Sequence, residues 1–270
     1  MCHCYASLEQ LRIEDSCNSL RCFSLHFFPK LKRLALNGCK HLETLSSSEE
    51  HQPFITSLSW LQIWGCPKFV TFGKREFSAP KLEWFRIADM ENLKSLPEQM
   101  HTLLLSLGEL ILIDCLLVES FSEGGLPTKI RELSIYHCSK LIASRMNWGL
   151  CRLHSLQYFC ISCGYDNVES FPEKGLLPTS LSTLSFYECW NLKSVHHKGL
   201  LCLISLKELS ITDCPKLQGI PAEGLPGSLS ILKVRGLCPM AKQRCQKEKG
   251  EDWHKIAHIP CIQIDEEIIT

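Results

Sequence analysis

Leu206-Lys-Glu-Leu-Ser-Ile-Thr-Asp-Cys-Pro-Lys-Leu-Gln-Gly-Ile220 sets apolar residues at Leu206, Leu209, Ile211, Leu217 and Ile220, with Cys214 between the two groups. The first half alternates as a strand does around Leu209 and Ile211, and the second steps by three, as a tight turn would. Neither half can bury its apolar side alone. The same frame, apolar at offsets 0, 3 and 5, often Cys at 8, apolar at 11 and 14, recurs nine more times, so each copy can be covered by its neighbours.

The copies begin at Leu8, Leu31, Leu58, Leu82, Leu107, Ile130, Leu156, Leu181, Leu206 and Leu229, spaced 23 to 27 residues apart. That is the period of leucine-rich repeats. The fold class expected is an α/β leucine-rich-repeat solenoid with a parallel β-sheet on the concave face, loops and short 3₁₀ or helical turns on the convex face, and a short C-terminal helical cap. Connectors such as Ser46-Ser-Ser-Glu-Glu50, Gly124-Gly-Leu-Pro127, Gly175-Leu-Leu-Pro178 and Gly224-Leu-Pro-Gly227 disfavour long convex helices. Ten strands at roughly 4.8 Å spacing would span an arc of roughly 43 Å.

Cys fills offset 8 at Cys39, Cys66, Cys115, Cys138, Cys189 and Cys214, and Ser16, Met90, Gly164 and Leu237 replace it elsewhere. A small, buryable residue with a weak S–H donor suits a turn that leaves a strand and enters the core, so these six are expected as structural core cysteines. Seventeen cysteines invite a disulfide framework, but the number is odd, six serve the repeat, and no Asn-x-Ser/Thr acceptor accompanies them. One cysteine per copy, without paired C-x2-C spacing, also argues against zinc. Cys160-Ile-Ser-Cys163 is the one C-x-x-C; it straddles a strand and its exit turn, whereas a redox pair would open a helix.

Lys plus Arg equals Asp plus Glu, at 29 each, which gives no overall pull toward nucleic acid or an anionic membrane. The longest apolar runs, such as Leu110 to Ile113, are too short for a membrane span, and Glu9, Arg12, Glu14 and Asp15 come too early for a secretory signal. After Leu237 the frame stops. Pro239 can start a helix, Gly250 can end it, and Trp253, Ile256 and Ala257 share one side of a second turn before Pro260. Two regions are therefore expected: residues 1–238 as a solenoid of about ten repeats, and 239–270 as a tail capping it. In that tail Trp253, Ile256 and Ile259 would cover the last repeat, and the charges from Lys247 to Asp252 would face water.

The irregular Leu-x-x-Leu-x-Ile-x-x-Cys repeat, connectors such as Ser170-Phe-Pro-Glu-Lys-Gly-Leu-Leu-Pro178, and the tail Gln246-Lys-Glu-Lys-Gly-Glu-Asp-Trp-His-Lys-Ile-Ala-His-Ile-Pro260 resemble the C-terminal leucine-rich-repeat region of plant nucleotide-binding leucine-rich-repeat disease resistance proteins of the coiled-coil class. The resemblance spans essentially the whole chain. It implies an intracellular immune-receptor module that binds a pathogen effector or a guarded host protein and restrains a nucleotide-binding domain, in the cytoplasm or nucleus. No Gly-x4-Gly-Lys-Ser/Thr loop is present, and Gly73-Lys74 is followed by Arg75. No cofactor is therefore expected in this chain: the family's ATP/ADP site would lie in a missing domain, and the chain reads as a fragment or truncated product beginning inside the repeats.

No Ser, Cys or Thr stands in a catalytic motif, and His196-His197 sits in a connector, so no enzyme is expected. The informative positions are offsets 2, 4 and 6, which point away from the core if 3 and 5 point into it. They assign Trp60, Gln62, Trp64, Trp84, Arg86, Glu109, Tyr136, Tyr158 and Tyr187 to the concave face as protein-binding candidates, with Ala88, Ile111 and Ile113 beside them. Trp, Tyr and Arg are the usual anchors of interfaces, although aromatics can also merely stack across a sheet. A substrate receptor of an F-box ubiquitin ligase is the alternative, since such proteins use cysteine-containing repeats of similar length. Their repeats are more regular and carry a convex helix.

Overall fold

The computed structural model describes residues 5–15, 19–46, 57–73 and 77–269. Ser16, residues 47–50 and residues 74–75, singled out above, lie outside them. The chain divides into two compact units, 1–148 and 149–270.

Unit 1 contains β1 (Gln10–Glu14), β2 (Cys22–Ser24), β3 (Arg33–Asn37), β4 (Thr44–Ser46), β5 (Trp60–Trp64), β6 (Trp84–Ala88), β7 (Glu109–Ile113) and β8 (Glu132–Tyr136), with short helices α1 (Met100–Leu103) and α2 (Ser139–Ala143). Strands β1, β3, β5, β6, β7 and β8 pair in that order, all parallel, and β2 pairs with β4. The register keeps every offset beside itself. Leu34, Leu61, Phe85, Leu110 and Leu133 form one row and Leu36, Ile63, Ile87, Leu112 and Ile135 the next, all ten fully buried. Offset 11 closes the opposite side of the core, with Leu42, Phe69, Leu93 and Val118 fully buried. Each such side chain contributes about 1.5–3 kcal/mol of transfer free energy before ordering entropy is subtracted, which is how coils with no apolar side to spare hold together.

Unit 2 contains β9 (Tyr158–Ser162), β10 (Ser170–Phe171), β11 (Thr183–Tyr187), β12 (Ser194–Val195), β13 (Glu208–Thr212), β14 (Ile231–Arg235), β15 (Cys261–Ile264) and β16 (Glu267–Ile268), with α3 (His197–Leu200), α4 (Pro239–Arg244) and α5 (Trp253–Ile256). Strands β9, β11, β13, β14 and β15 pair in parallel, β16 returns antiparallel on β15, and β10 pairs with β12. The fold is a leucine-rich-repeat solenoid whose helices are few and short.

The frame does not stop at Leu237. Ile262 pairs with Leu232 and Ile264 with Val234, so Ile259, Ile262 and Ile264 occupy offsets 0, 3 and 5 of an eleventh copy, and all three are buried. Its 30-residue spacing from Leu229, widened by α4 and α5, hides it from a search at 23 to 27. Ile256 and Ile259 are buried and Trp253 is half-buried. The expectation that the charges from Lys247 to Asp252 face water fails at one residue: Asp252 is fully buried, for reasons given in the Discussion.

Among the described residues, nine of the sheet strands end at one residue of positive φ: Asp15, Gly38, Gly65, Asp89, Asp114 and His137 in unit 1, and Glu188, Asp213 and Gly236 in unit 2, whereas β9 turns one residue later, at Gly164, and β15 one earlier, at Asp265. The nine sit at offset 7. The left-handed conformation favours Gly and tolerates Asp, which explains the residue types there. At Gly38 a Cβ would stand 2.0 Å from the Asp15 carboxylate, so that position also needs the missing side chain.

Candidate recognition surface

Offsets 2, 4 and 6 of the paired strands make the face of the sheet turned away from the core. In unit 1 the offset-2 row runs Arg33, Trp60, Trp84, Glu109, Glu132 across β3, β5, β6, β7 and β8. Trp60 and Trp84 stack with ring centroids 4.5 Å apart and planes 1° from parallel, and the Arg33 guanidinium lies 4.6 Å over Trp60. Beyond Trp84 the row continues through a hydrogen bond from its indole N–H to the Glu109 carboxylate. Burial and the charge of Glu132 together lift the Glu109 carboxyl above its ordinary value, against the pull of that hydrogen bond.

A second network covers the first strands. Arg12 pairs with Glu14, Asn37 Nδ2 donates to Glu14 Oε1 at 2.9 Å, and Gln62 Nε2 donates to Asn37 Oδ1 at 2.9 Å. The Arg12 and Asn37 hydrogen bonds hold the Glu14 carboxyl below its usual range. A depression of about 600 Å³ opens here, lined by Gln10, Arg12, Arg33, Trp60 and Gln62.

Arg86 stands apart from both networks. It lies in register between Gln62 and Ile111, its Nε is buried without a hydrogen-bond partner, and its guanidinium makes no ion pair among the described residues. Trp64, 50% exposed, has no ring partner among them either. Ala88, between Trp64 and Ile113 in the row, is buried, as are Ala35 and Ser134, because larger neighbours flank them. Tyr136 ends the offset-6 row of unit 1. The unit 2 candidates are not drawn into one cluster: Tyr158 faces Thr183 at offset 2, and Tyr187 faces Thr212 at offset 6. The hydrogen bond to Glu188, and then the charge of that carboxylate, raise the Tyr187 hydroxyl above its ordinary value.

Cys39, Cys66, Cys115, Cys138, Cys189 and Cys214 are fully buried free thiols. Each donates to the carbonyl two residues back, at 3.7, 3.5, 3.4, 3.3, 3.7 and 3.5 Å in that order. The thiol of a neighbouring coil, followed by burial, pushes Cys66, Cys115, Cys189 and Cys214 up, so they stay protonated and poor nucleophiles. In the seventh coil the backbone N–H of Cys163 donates to Cys189 Sγ at 3.4 Å, and both members of Cys160-x-x-Cys163 are buried off any helix. His196 accepts from Gly199 N–H at 3.3 Å and caps α3. No group of three His, Cys, Asp or Glu among the described residues could hold a metal. Nor is any helix among them long and apolar enough to cross a membrane. What the arrangement offers is non-covalent: aromatic plates, the Arg86 guanidinium and the neighbouring acids Glu109 and Glu132 on an open sheet.

A leucine-rich-repeat solenoid with such a face defines a protein of the repeat-scaffold class. The chain is related over nearly its whole length to plant disease resistance proteins. It is 34% identical over 266 residues, 98% of its length, to At3g14460 of Arabidopsis thaliana, which is described as a disease resistance protein. It is 51% identical over 53 residues, 19% of its length, to RGA4 of Solanum bulbocastanum, described likewise. The chain spans only 18% of the first relative and 5% of the second. No family model matches it.

Proposed function

We propose that this chain is the protein-recognition and regulatory module of an intracellular plant immune receptor, binding a pathogen effector or a guarded host protein in the cytoplasm or nucleus. It has no catalytic role in this reading, and it restrains a nucleotide-binding domain that carries the family's ATP/ADP site. The observation that carries it is the open face of unit 1, where Trp64 and Arg86 occupy positions that neither the core nor their neighbours require. Stacking accounts for Trp60 and Trp84, which serve the sheet as well as any partner. The F-box alternative is disfavoured by the connecting halves of the repeats, where the longest helix among the described residues, α2, has 5 residues.

The test is proximity labelling in plant cells with residues 1–270 and with a Trp64→Ala/Arg86→Ala double variant, alongside co-precipitation with a nucleotide-binding domain of the coiled-coil resistance class. The double variant should lose specific neighbours while keeping its thermal unfolding temperature. An unchanged set of labelled proteins, or no co-precipitation of the nucleotide-binding domain, would overturn the respective half of the reading.

A further inference from the structure

The open face of unit 1 carries a cation, Arg86, and two acids, Glu109 and Glu132, close together and none of them ion-paired among the described residues. Glu109 is the acid nearest Arg86 in the register, one strand over and two residues back, yet the two form no ion pair. The Glu109 carboxylate is engaged by the Trp84 indole instead and stands beside Glu132, a second acid without a counter-ion among the described residues. Glu132 is exposed and hydrated, but keeping the half-buried Arg86 guanidinium and the half-buried Glu109 carboxylate without opposite charges costs free energy that a simple swap of side chains would remove.

We propose, building on the recognition reading above, that the open face of β5 to β8 seats an extended segment of a partner protein. That segment carries a carboxylate side chain for Arg86 and, on the same side of its backbone, a cationic side chain for Glu109 and Glu132. Strand spacings of roughly 4.8 Å and a rise of roughly 3.3 Å per residue put Glu109 roughly 8 Å and Glu132 roughly 12 Å from Arg86. Same-side residues of an extended segment recur every two positions, roughly 7 Å apart. The acid and the base of the segment are therefore two or four residues apart. Trp64, at the exposed end of β5, supplies an apolar plate beside the acid's position. A polyanion is a poor occupant, because Glu109 and Glu132 would repel the phosphates following the one on Arg86.

A random dodecapeptide library displayed on phage, selected against the full chain, tests this. Enriched peptides should carry Asp or Glu two or four residues from Lys or Arg. A synthetic copy should bind about tenfold more weakly to Arg86→Gln, which keeps the side-chain stem, and more weakly at high salt. Selection on Arg86→Glu should return peptides with a base in place of the acid; if that variant unfolds, Arg86→Gln and the salt series still decide. Peptides lacking the pair, an affinity indifferent to Arg86→Gln, or a selection without binders would each overturn the proposal. A folded partner whose labelling still depends on Trp64 and Arg86 would in that event leave the recognition reading standing.

Discussion

Asp252→Asn should destabilise the C-terminal end of unit 2 out of proportion to so small a change. The carboxylate is fully buried and has four donors: Arg244 Nε at 3.0 Å and Nη2 at 3.1 Å, Lys255 Nζ at 2.6 Å and the Ile220 backbone N–H at 3.3 Å. It thus ties α4 and α5 to the ninth coil. Burial alone would raise its pKa, but the hydrogen bonds from Arg244, Lys255 and Ile220 outweigh burial and hold it below the ordinary 3.8. The amide keeps the shape and removes the charge, leaving two cations facing each other. Removing one partner of a buried pair costs about 3–5 kcal/mol, and the lower end applies because Arg244, 37% exposed, can turn to water. At about 3 kcal/mol, the melting temperature should fall by roughly 10 °C. Urea unfolding followed by tryptophan fluorescence measures the difference. Since the folded pKa is depressed, the stabilisation is present above 3.8 and fades as pH drops through the folded value. The gap between wild type and variant should therefore hold at pH 7 and close in acid. A variant within about 0.5 kcal/mol of wild type at neutral pH, or a gap indifferent to acid, would refute the reasoning.

Gly219→Ala should weaken the same clamp, because a Cβ there would lie 2.6 Å from Asp252 Oδ2 at a φ of +148°; an Asp252→Ala background, which removes that oxygen, should blunt the effect, and a full effect in that background would count against the clash. Glu109→Gln should raise the melting temperature at pH 7 and leave it unchanged near pH 4, because a raised folded pKa favours folding only where the carboxyl is protonated; a higher melting temperature at both pH values would count against the unpaired acid. Cys189→Asn should be tolerated better than Cys189→Leu, since the site offers the carbonyls of Tyr187 and Ile161, both 3.7 Å from Sγ, and no room for volume; equal melting temperatures would contradict this. Deleting residues 239–270 should lower the melting temperature and promote aggregation by uncovering Leu229, Leu232 and Val234, and a deletion protein as soluble and heat-resistant as the intact chain would refute a capping role.

The coil was legible in the sequence because burial writes a strict pattern: Leu209 and Ile211 alternate, and every copy repeats them. The turn was partly written there too. Asp89, Asp114, Asp213 and the glycines at offset 7 follow the tolerance of the left-handed region, although mixing Gly, Asp, Glu and His obscures it. The eleventh copy was masked by its irregular spacing and by Ile in place of Leu. Asp252 was invisible, since a buried carboxylate inside Lys-Glu-Lys-Gly-Glu-Asp looks like any other charge in a solvated string; only Arg244 and Ile220, brought from 8 and 32 residues away, distinguish it. Arg86 escaped ranking for a related reason, because whether a guanidinium is paired depends on strands more than twenty residues distant in sequence.

Within the frame, the residues that hold the core and those left free of it occupy different offsets. Core rows at 3 and 5 are buried in every coil after the first, where Leu11 and Ile13 are half-buried, and the turn thiols satisfy the carbonyls beside them, so these positions leave little latitude for change. Offsets 2, 4 and 6 meet only their own kind in adjacent strands, and a residue there can change with small effect on the core. In the first strands of unit 1 that freedom is used conservatively: Arg12, Glu14, Asn37 and Gln62 satisfy one another. One coil further on the same rule is broken, with Arg86 unpaired, Glu109 lifted by burial and by Glu132, and Trp64 half-exposed. A folded chain tolerates such conflicts most readily where something outside it resolves them. On β5 to β8 the charges left over are of both signs, Arg86 against Glu109 and Glu132, which is what the proposed acid-and-base segment would have to complement.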